Sequence, residues 1–140
     1  MEDPIKHRDK FMKHILLTGA ALMVAGCADI PTHSTKARVT FYSRGEDKYG
    51  SRIATGGRAR EGRTVAASTL VPFGTGIQIP GLAGIVGNGR FVCEDRGSAV
   101  NRERASRGQA PVIDVYCASP AKRRRLARSL PEYMEIKYDN

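Results

Sequence analysis

Short runs in which apolar and polar residues alternate recur along most of the chain, and this period of two predicts β-strands. Val39 and Phe41 alternate with polar neighbours in the first of these runs. Segments that contain Gly and Pro separate the later runs, which is typical of short strands joined by tight turns. The strands predicted in this way are 37–43, 64–67, 77–79, 90–95, 111–117 and 133–138. The intervening segments 44–63 and 96–110 are predicted loops, and 81–89 is a predicted flexible apolar hairpin.

One helix is predicted late in the chain. Ser119 can cap its start, Pro120 suits the first helical position, and Pro131 ends it. Leu126 and Leu130 give it a narrow apolar stripe in an otherwise basic segment. Because many short strands accompany a single helix, the pattern predicts a mainly β protein that forms a closed or nearly closed β-barrel.

The N-terminal region has the pattern of an export signal. The apolar run 15–26 follows basic residues and is shorter than the ~20 residues needed to span a bilayer. Residues 24–27, Val-Ala-Gly-Cys, resemble the lipobox of bacterial lipoproteins, which implies cleavage before Cys27 and a lipid on its sulfur. The predicted organisation is a signal peptide over 1–26, a lipidated tether over 27–36, and one domain over 37–140. An ordinary signal peptide with a chance cysteine is the alternative.

The predicted location is the cell envelope, at the periplasmic face of the outer membrane. Asp is at position 29 and not directly after Cys27, and in the sorting rule of Gram-negative lipoproteins this implies the outer membrane. Translation from Met12 would give a more regular signal peptide, because residues 1–11 mix acidic and basic side chains.

The charge of the domain does not come from the signal segment. The chain carries +9, and residues 1–26 hold four basic and three acidic side chains, which leaves +8 for the mature part. A field of this sign attracts anionic polymers. Export argues against nucleic acid, and cell-wall glycan with acidic stem peptides, teichoic acids or lipopolysaccharide would fit the compartment. The alternative is a solvated basic surface that only keeps the protein soluble.

Two cysteines remain once Cys27 is assigned to lipid. Cys93 and Cys117 lie in the two strongest predicted strands, and an even pair in an oxidising compartment predicts a disulfide. Two buried free thiols are the alternative. No metal site is predicted, since the domain has no His and no Cys-x-x-Cys, and no cofactor is expected.

Two acidic residues, Asp95 and Asp114, lie in apolar strands. Alternation puts Ile113 and Val115 on one face of the strand and Asp114 on the other, so that the carboxyl can face a groove while its neighbours fill the barrel. The alternative is an aspartate whose oxygens are satisfied by backbone amides in a turn.

Four segments of the chain carry a combined motif: Val65-Ala66-Ala67-Ser68, Val71-Pro72-Phe73-Gly74-Thr75, Asp95-Arg96-Gly97-Ser98-Ala99-Val100 and Ile113-Asp114-Val115-Tyr116. Together they resemble the three-aspartate domain, which forms the C-terminal part of membrane-bound lytic transglycosylase A. The resemblance covers residues 37–138 and implies a six-stranded double-psi β-barrel with one short helix, related to rare lipoprotein A and the expansins.

The resemblance assigns roles to individual positions. It implies that Asp114 is the catalytic acid and that Asp95 stands beside it, whereas Ser68 occupies the place of the first aspartate of the family. The transglycosylase also has a separate large domain that helps to wall its groove, and this chain has no room for one, so either a partner protein completes the groove or the groove is shallow. The substrate-binding residues implied are Thr75, Arg96, Gly97 and Tyr116.

The function that this resemblance implies is that of a peptidoglycan lytic transglycosylase, a murein lyase. Protonated Asp114 would donate to the glycosidic oxygen between MurNAc and GlcNAc and so produce 1,6-anhydroMurNAc. Donation requires a raised pKa, which an apolar strand can supply by desolvation. Two alternatives remain: a lipoprotein that binds glycan strands without cutting them, and a structural lipoprotein that tethers membrane to wall through its basic helix.

Overall fold

The computed structural model describes residues 32–43, 50–97 and 110–139, in which six strands form a closed barrel with one α-helix and one 3-10 turn. The predicted signal peptide and Cys27 lie outside the described residues. The strands are β1 (Thr32–Ser43), β2 (Thr64–Ala66), β3 (Gly76–Gln78), β4 (Arg90–Asp95), β5 (Val112–Cys117) and β6 (Tyr133–Asp139). The helix α1 spans Pro120–Ser129, and the 3-10 turn spans Pro80–Leu82.

The strands follow one another around the barrel in the order β1-β5-β2-β4-β3-β6. β1 runs parallel to β5 and β2 runs parallel to β4, while the other neighbours are antiparallel. The barrel has an internal symmetry: if β1 is exchanged with β4, β2 with β5 and β3 with β6, the order of neighbours stays the same. The parallel or antiparallel direction of every pair also stays the same. The prediction of a mainly β barrel with one helix is confirmed.

β1 pairs with two neighbouring strands along its length. Its first part pairs with β6, from Thr32 opposite Asp139 to Arg38 opposite Tyr133. Its second part pairs with β5, ending at Ser43 opposite Cys117. The strand therefore begins at Thr32, before the predicted start at residue 37, and the segment expected to be a tether is a barrel strand from Thr32 onward. Hydrogen bonding to β6 extends the strand through polar residues that show no alternation of their own.

The barrel interior is filled by the inward faces of the strands. Val39 of β1, Ile113 and Val115 of β5, and Ile136 of β6 belong to one buried cluster. Segment 81–89, expected to be flexible, instead contributes fully buried side chains to this cluster through Leu82 and Val86.

A close backbone approach fixes the turn that carries Val86. Gly87 has φ +63°, and a Cβ placed on it would lie 2.8 Å from the Cα of Gly62 and 3.1 Å from the Gly62 carbonyl oxygen. Both obstructing atoms are backbone, so only glycine fits at this position without moving the chain before β2.

The helix has the start and end that its sequence predicts. The Ser119 hydroxyl accepts a hydrogen bond from the Lys122 N–H at 3.1 Å, and Pro120 occupies the first turn. Leu126 is buried and belongs to the barrel cluster. The basic side chains on the opposite side of α1 face solvent. Within the described residues, no helix is long and apolar enough to cross a membrane.

Glu61, in the loop before β2, ties that loop to the start of α1. Its carboxylate accepts the Ala118 N–H at 2.6 Å and forms an ion pair with Lys122. Burial alone would raise the pKa of Glu61, but the hydrogen bonds from Lys122 and Ala118 lower it below its ordinary value.

The predicted disulfide is absent. Cys93 and Cys117 are both buried free thiols, so the structure has the alternative arrangement. The physical reason is the strand order, because β2 lies between β4, which carries Cys93, and β5, which carries Cys117. Burial raises the pKa of the Cys93 thiol, with part of the effect offset by the Arg96 guanidinium, and burial raises the pKa of Cys117 to about 11.

Candidate functional site

Asp95 and Asp114 flank a single residue of the strand between them. Ala66 of β2 pairs with Asp95 on the parallel strand β4 and with Asp114 on the antiparallel strand β5. The register shifts between Val65 and Ala66, and this irregularity sets Asp95 opposite Ala66, although alternation along β4 would put Asp95 on the face of Cys93. Residues opposite each other on adjacent strands project to the same sheet face. Both carboxyls therefore leave the barrel wall on one face, with strand spacings of about 5 Å on each side of Ala66.

Asp95 is held by three donors. Its Oδ2 accepts the Tyr42 hydroxyl at 2.8 Å, and its Oδ1 accepts the Ala54 N–H at 2.9 Å and the Arg96 N–H at 2.8 Å. The residue is only 8% exposed. A carboxylate can accept all three of these bonds, because both of its oxygens are acceptors. The protein thus fixes a buried acceptor at the end of β4.

Asp114 lies on a regular strand and not in a turn. The Thr40 hydroxyl of β1, its cross-strand partner, donates to Oδ1 at 2.9 Å. The neighbouring Ile113 and Val115 enter the barrel cluster, as alternation predicts. Asp114 is 9% exposed, so the outer face of β5 is itself largely covered.

Tyr42 donates a hydrogen bond to Asp95 and lies close enough to Asp114 to feel its charge. It is a site residue that the sequence did not reveal. Burial raises the pKa of its hydroxyl, and the charge of Asp95, the hydrogen bond to Asp95 and the charge of Asp114 add to this. Its ring meets Tyr116 edge-on, with centroids 5.4 Å apart. The available signal was spacing, because Tyr42 follows Thr40 by two residues on the polar face of β1.

The remaining predicted binding residues divide between this face and the neighbouring loop. Tyr116 lies on the face of the two aspartates, opposite Tyr42. Gly97 is exposed, directly after Arg96. The Thr75 carbonyl accepts the Cys93 N–H at 2.9 Å, which ties Thr75 to β4.

Arg96 reaches the site with its backbone only. Its guanidinium donates to the carbonyls of Val71 at 2.7 Å and Ala67 at 3.3 Å, and to the Cys93 sulfur at 2.9 Å. The same group lies 3.8 Å from the centroid of the Phe73 ring. These contacts hold the segment between β2 and β3 against β4.

Within residues 32–43, 50–97 and 110–139, no group of three or more His, Cys, Asp or Glu side chains could hold a metal ion. Comparisons of the chain with protein-family models, with curated proteins and with solved structures find no match. The argument for function therefore rests on the aspartate face: two carboxyls across one alanine, one of them fixed by three donors, with two tyrosines beside them.

Proposed function

We propose that the protein acts on peptidoglycan as a lytic transglycosylase with Asp114 as the general acid and base. The observation that carries the proposal is the placement of Asp114 and Asp95 on one face of the barrel, on either side of Ala66. A glycosidase that uses water needs two working carboxyls, whereas an intramolecular transfer needs one. Asp95, with three donors already bound, serves as a fixed acceptor and not as a second acid.

The reaction follows from these roles. Asp114 gives its proton to the glycosidic oxygen as the bond from that oxygen to C1 of MurNAc breaks. The 6-hydroxyl of the same sugar attacks C1, and its proton returns to the Asp114 carboxylate. The product is 1,6-anhydroMurNAc, and the acid is regenerated without water. The cycle begins and ends with Asp114 protonated, as a general acid requires.

The same proposal covers the family and the location. The exchange symmetry of the two halves of the barrel supports the double-psi type, in which a psi-shaped motif occurs twice, and hence the three-aspartate domain. Ser68 stands where the family has its first aspartate, and its hydroxyl accepts the Leu70 N–H at 3.3 Å. Lipid on Cys27 would place the domain at the periplasmic face of the outer membrane. Its partners there are glycan strands and a protein that completes the groove.

The test is digestion of purified sacculi by the full chain in detergent, with released anhydro-muropeptides measured by mass spectrometry. We expect Asp114→Asn to reduce release by about 100-fold or more, the scale of a lost general acid. The matched control is Glu135→Gln, which removes an exposed carboxylate on β6. Equal release by the unmutated chain and Asp114→Asn would contradict the proposal.

Glycan binding without cleavage is the second candidate, and the burial of both carboxyls favours it, since they are 8% and 9% exposed. If neither the unmutated chain nor Asp114→Asn releases anhydro-muropeptides, yet both sediment with sacculi, the binding function replaces the catalytic one.

A further inference from the structure

Two arginines face each other beside the aspartate face. Arg52 and Arg58 form an antiparallel bridge in a short hairpin. The Ala59 N–H donates to the Ser51 carbonyl at 2.8 Å, and the Ile53 N–H donates to the Gly57 carbonyl at 3.1 Å. These bonds flank the bridge, which makes Arg52 and Arg58 a non-hydrogen-bonded pair. Such a pair has its side chains on the same side of the ribbon, with Cβ atoms about 5 Å apart.

This pairing is unfavourable in the protein by itself. Like charges directly opposite each other on adjacent strands destabilise a ribbon. Both side chains are exposed, and no acidic side chain among the described residues forms an ion pair with either. Two adjacent guanidiniums that no carboxylate in the described part of the chain pairs with present a set of donors suited to the oxygens of a carboxylate.

The hairpin is attached directly to the site. The buried side chain of Ile53 anchors it, and the next residue, Ala54, donates its N–H to Asp95 Oδ1 at 2.9 Å. Arg52 is two residues from that donor, about 7 Å of extended chain. The hairpin that carries the arginine pair is therefore in direct contact with the aspartate face through its backbone.

We propose that Arg52 and Arg58 bind a carboxylate of the peptidoglycan substrate, an assignment that rests on the function proposed above. Two sources supply this group: the acidic stem peptide, and the lactyl carboxylate of MurNAc once the peptide has been removed. The pair holds the glycan strand at its substituent while Asp114 acts on the sugar bond.

The test compares two double variants of the full chain in detergent. Arg52→Gln with Arg58→Gln removes the pair, and Arg124→Gln with Arg128→Gln removes the same charge from the exposed side of α1. Each is measured for sedimentation with, and release from, peptide-bearing sacculi and glycan strands stripped of peptide. We expect the first variant to lose about tenfold in binding, as for lost charge-assisted hydrogen bonds. The control should stay close to the unmutated chain, and the melting temperature of the first variant should be unchanged or raised because repulsion is relieved.

The outcomes separate the possibilities. A loss confined to peptide-bearing sacculi assigns the stem carboxylate, a loss confined to stripped strands assigns the lactyl carboxylate, and an equal loss on both substrates shows that the pair accepts either group. No loss, or the same loss in both double variants, overturns the carboxylate site. If the unmutated chain releases nothing from either substrate, the transglycosylase proposal fails. The sedimentation results then still decide whether the arginine pair binds carboxylate.

Discussion

Replacing Tyr42 with phenylalanine removes one atom from the aspartate face and tests how Asp95 is held. The variant loses the 2.8 Å hydrogen bond to Asp95 and keeps the ring that meets Tyr116. Hydrogen bonds to charged groups contribute about 1.5–3 kcal/mol. Asp95 keeps the N–H groups of Ala54 and Arg96, so we expect the lower end, a loss of about 1.5 kcal/mol at neutral pH.

The loss should depend on pH in a defined direction. The folded protein raises the pKa of Tyr42 above its unfolded value of 10.0, so the stabilisation is fully present below pH 10 and is lost as the pH rises above it. Above pH 10 the Tyr42 phenol ionises in the unfolded chain, and this lowers the stability of the unmutated protein by at most about 1.4 kcal/mol at pH 11. Solvent screening of the partly exposed ring makes this effect smaller. Tyr42→Phe lacks this slope. The stability gap between the two proteins should therefore nearly close by pH 11.

The assay is urea unfolding followed by circular dichroism from pH 7 to 11, since the chain has no tryptophan to report by fluorescence. Tyr133→Phe is the matched control, because Tyr133 is 50% exposed. The stability of this variant should match that of the unmutated chain at every pH from 7 to 11. A gap that stays constant between pH 8 and 11 would refute the argument from the raised pKa. A neutral-pH loss near zero would refute the contribution of the hydrogen bond.

Two further predictions concern the loop before β2 and the turn that it meets. Glu61→Gln should destabilise the protein by about 1 kcal/mol at pH 7 by removing the ion pair with Lys122. Because the fold lowers the pKa of Glu61 below 4.5, this loss should shrink as the pH falls from 4.5 through the lowered pKa, and a deficit in thermal melts that does not shrink as the pH falls would contradict it. Gly87→Ala should cost more than about 2 kcal/mol in urea unfolding, since the new Cβ meets the backbone of Gly62. Gly74→Ala, with φ +88° and open space around the Cβ, should cost only about 1 kcal/mol, and equal losses in the two would exclude the close approach as the cause.

Local patterns predicted the elements whose signals lie within their own residues. The helix follows from Ser119 and Pro131, and β4 follows from its alternation, with bounds that match the prediction at both ends. The first half of β1 could not be predicted, because its polar residues are extended only through pairing with β6. The burial of Leu82 could not be predicted either, because it depends on the closure of the barrel.

The composition of the aspartate face was predictable in part. Alternation placed Asp114 on the outward face of β5, but its relation to Asp95 depends on Ala66 and the strand order. A disulfide was wrongly expected because the same strand order, which inserts β2 between the two cysteines, has no local signal. The Arg52 and Arg58 pair lies in a segment predicted only as a loop, since a two-residue bridge is too short to show alternation.

The pairing of Thr32 with Asp139 means that the first and last described residues of the barrel are hydrogen-bonded neighbours. During synthesis, β1 emerges before the other five strands and must wait for β6, so the circle of strands closes only after β6 has been made. Contacts this distant in sequence slow folding. The unfinished chain carries unpaired strand edges during that interval, and such edges are where association with other chains begins. The release of β6 therefore sets the earliest moment at which the closed barrel can form.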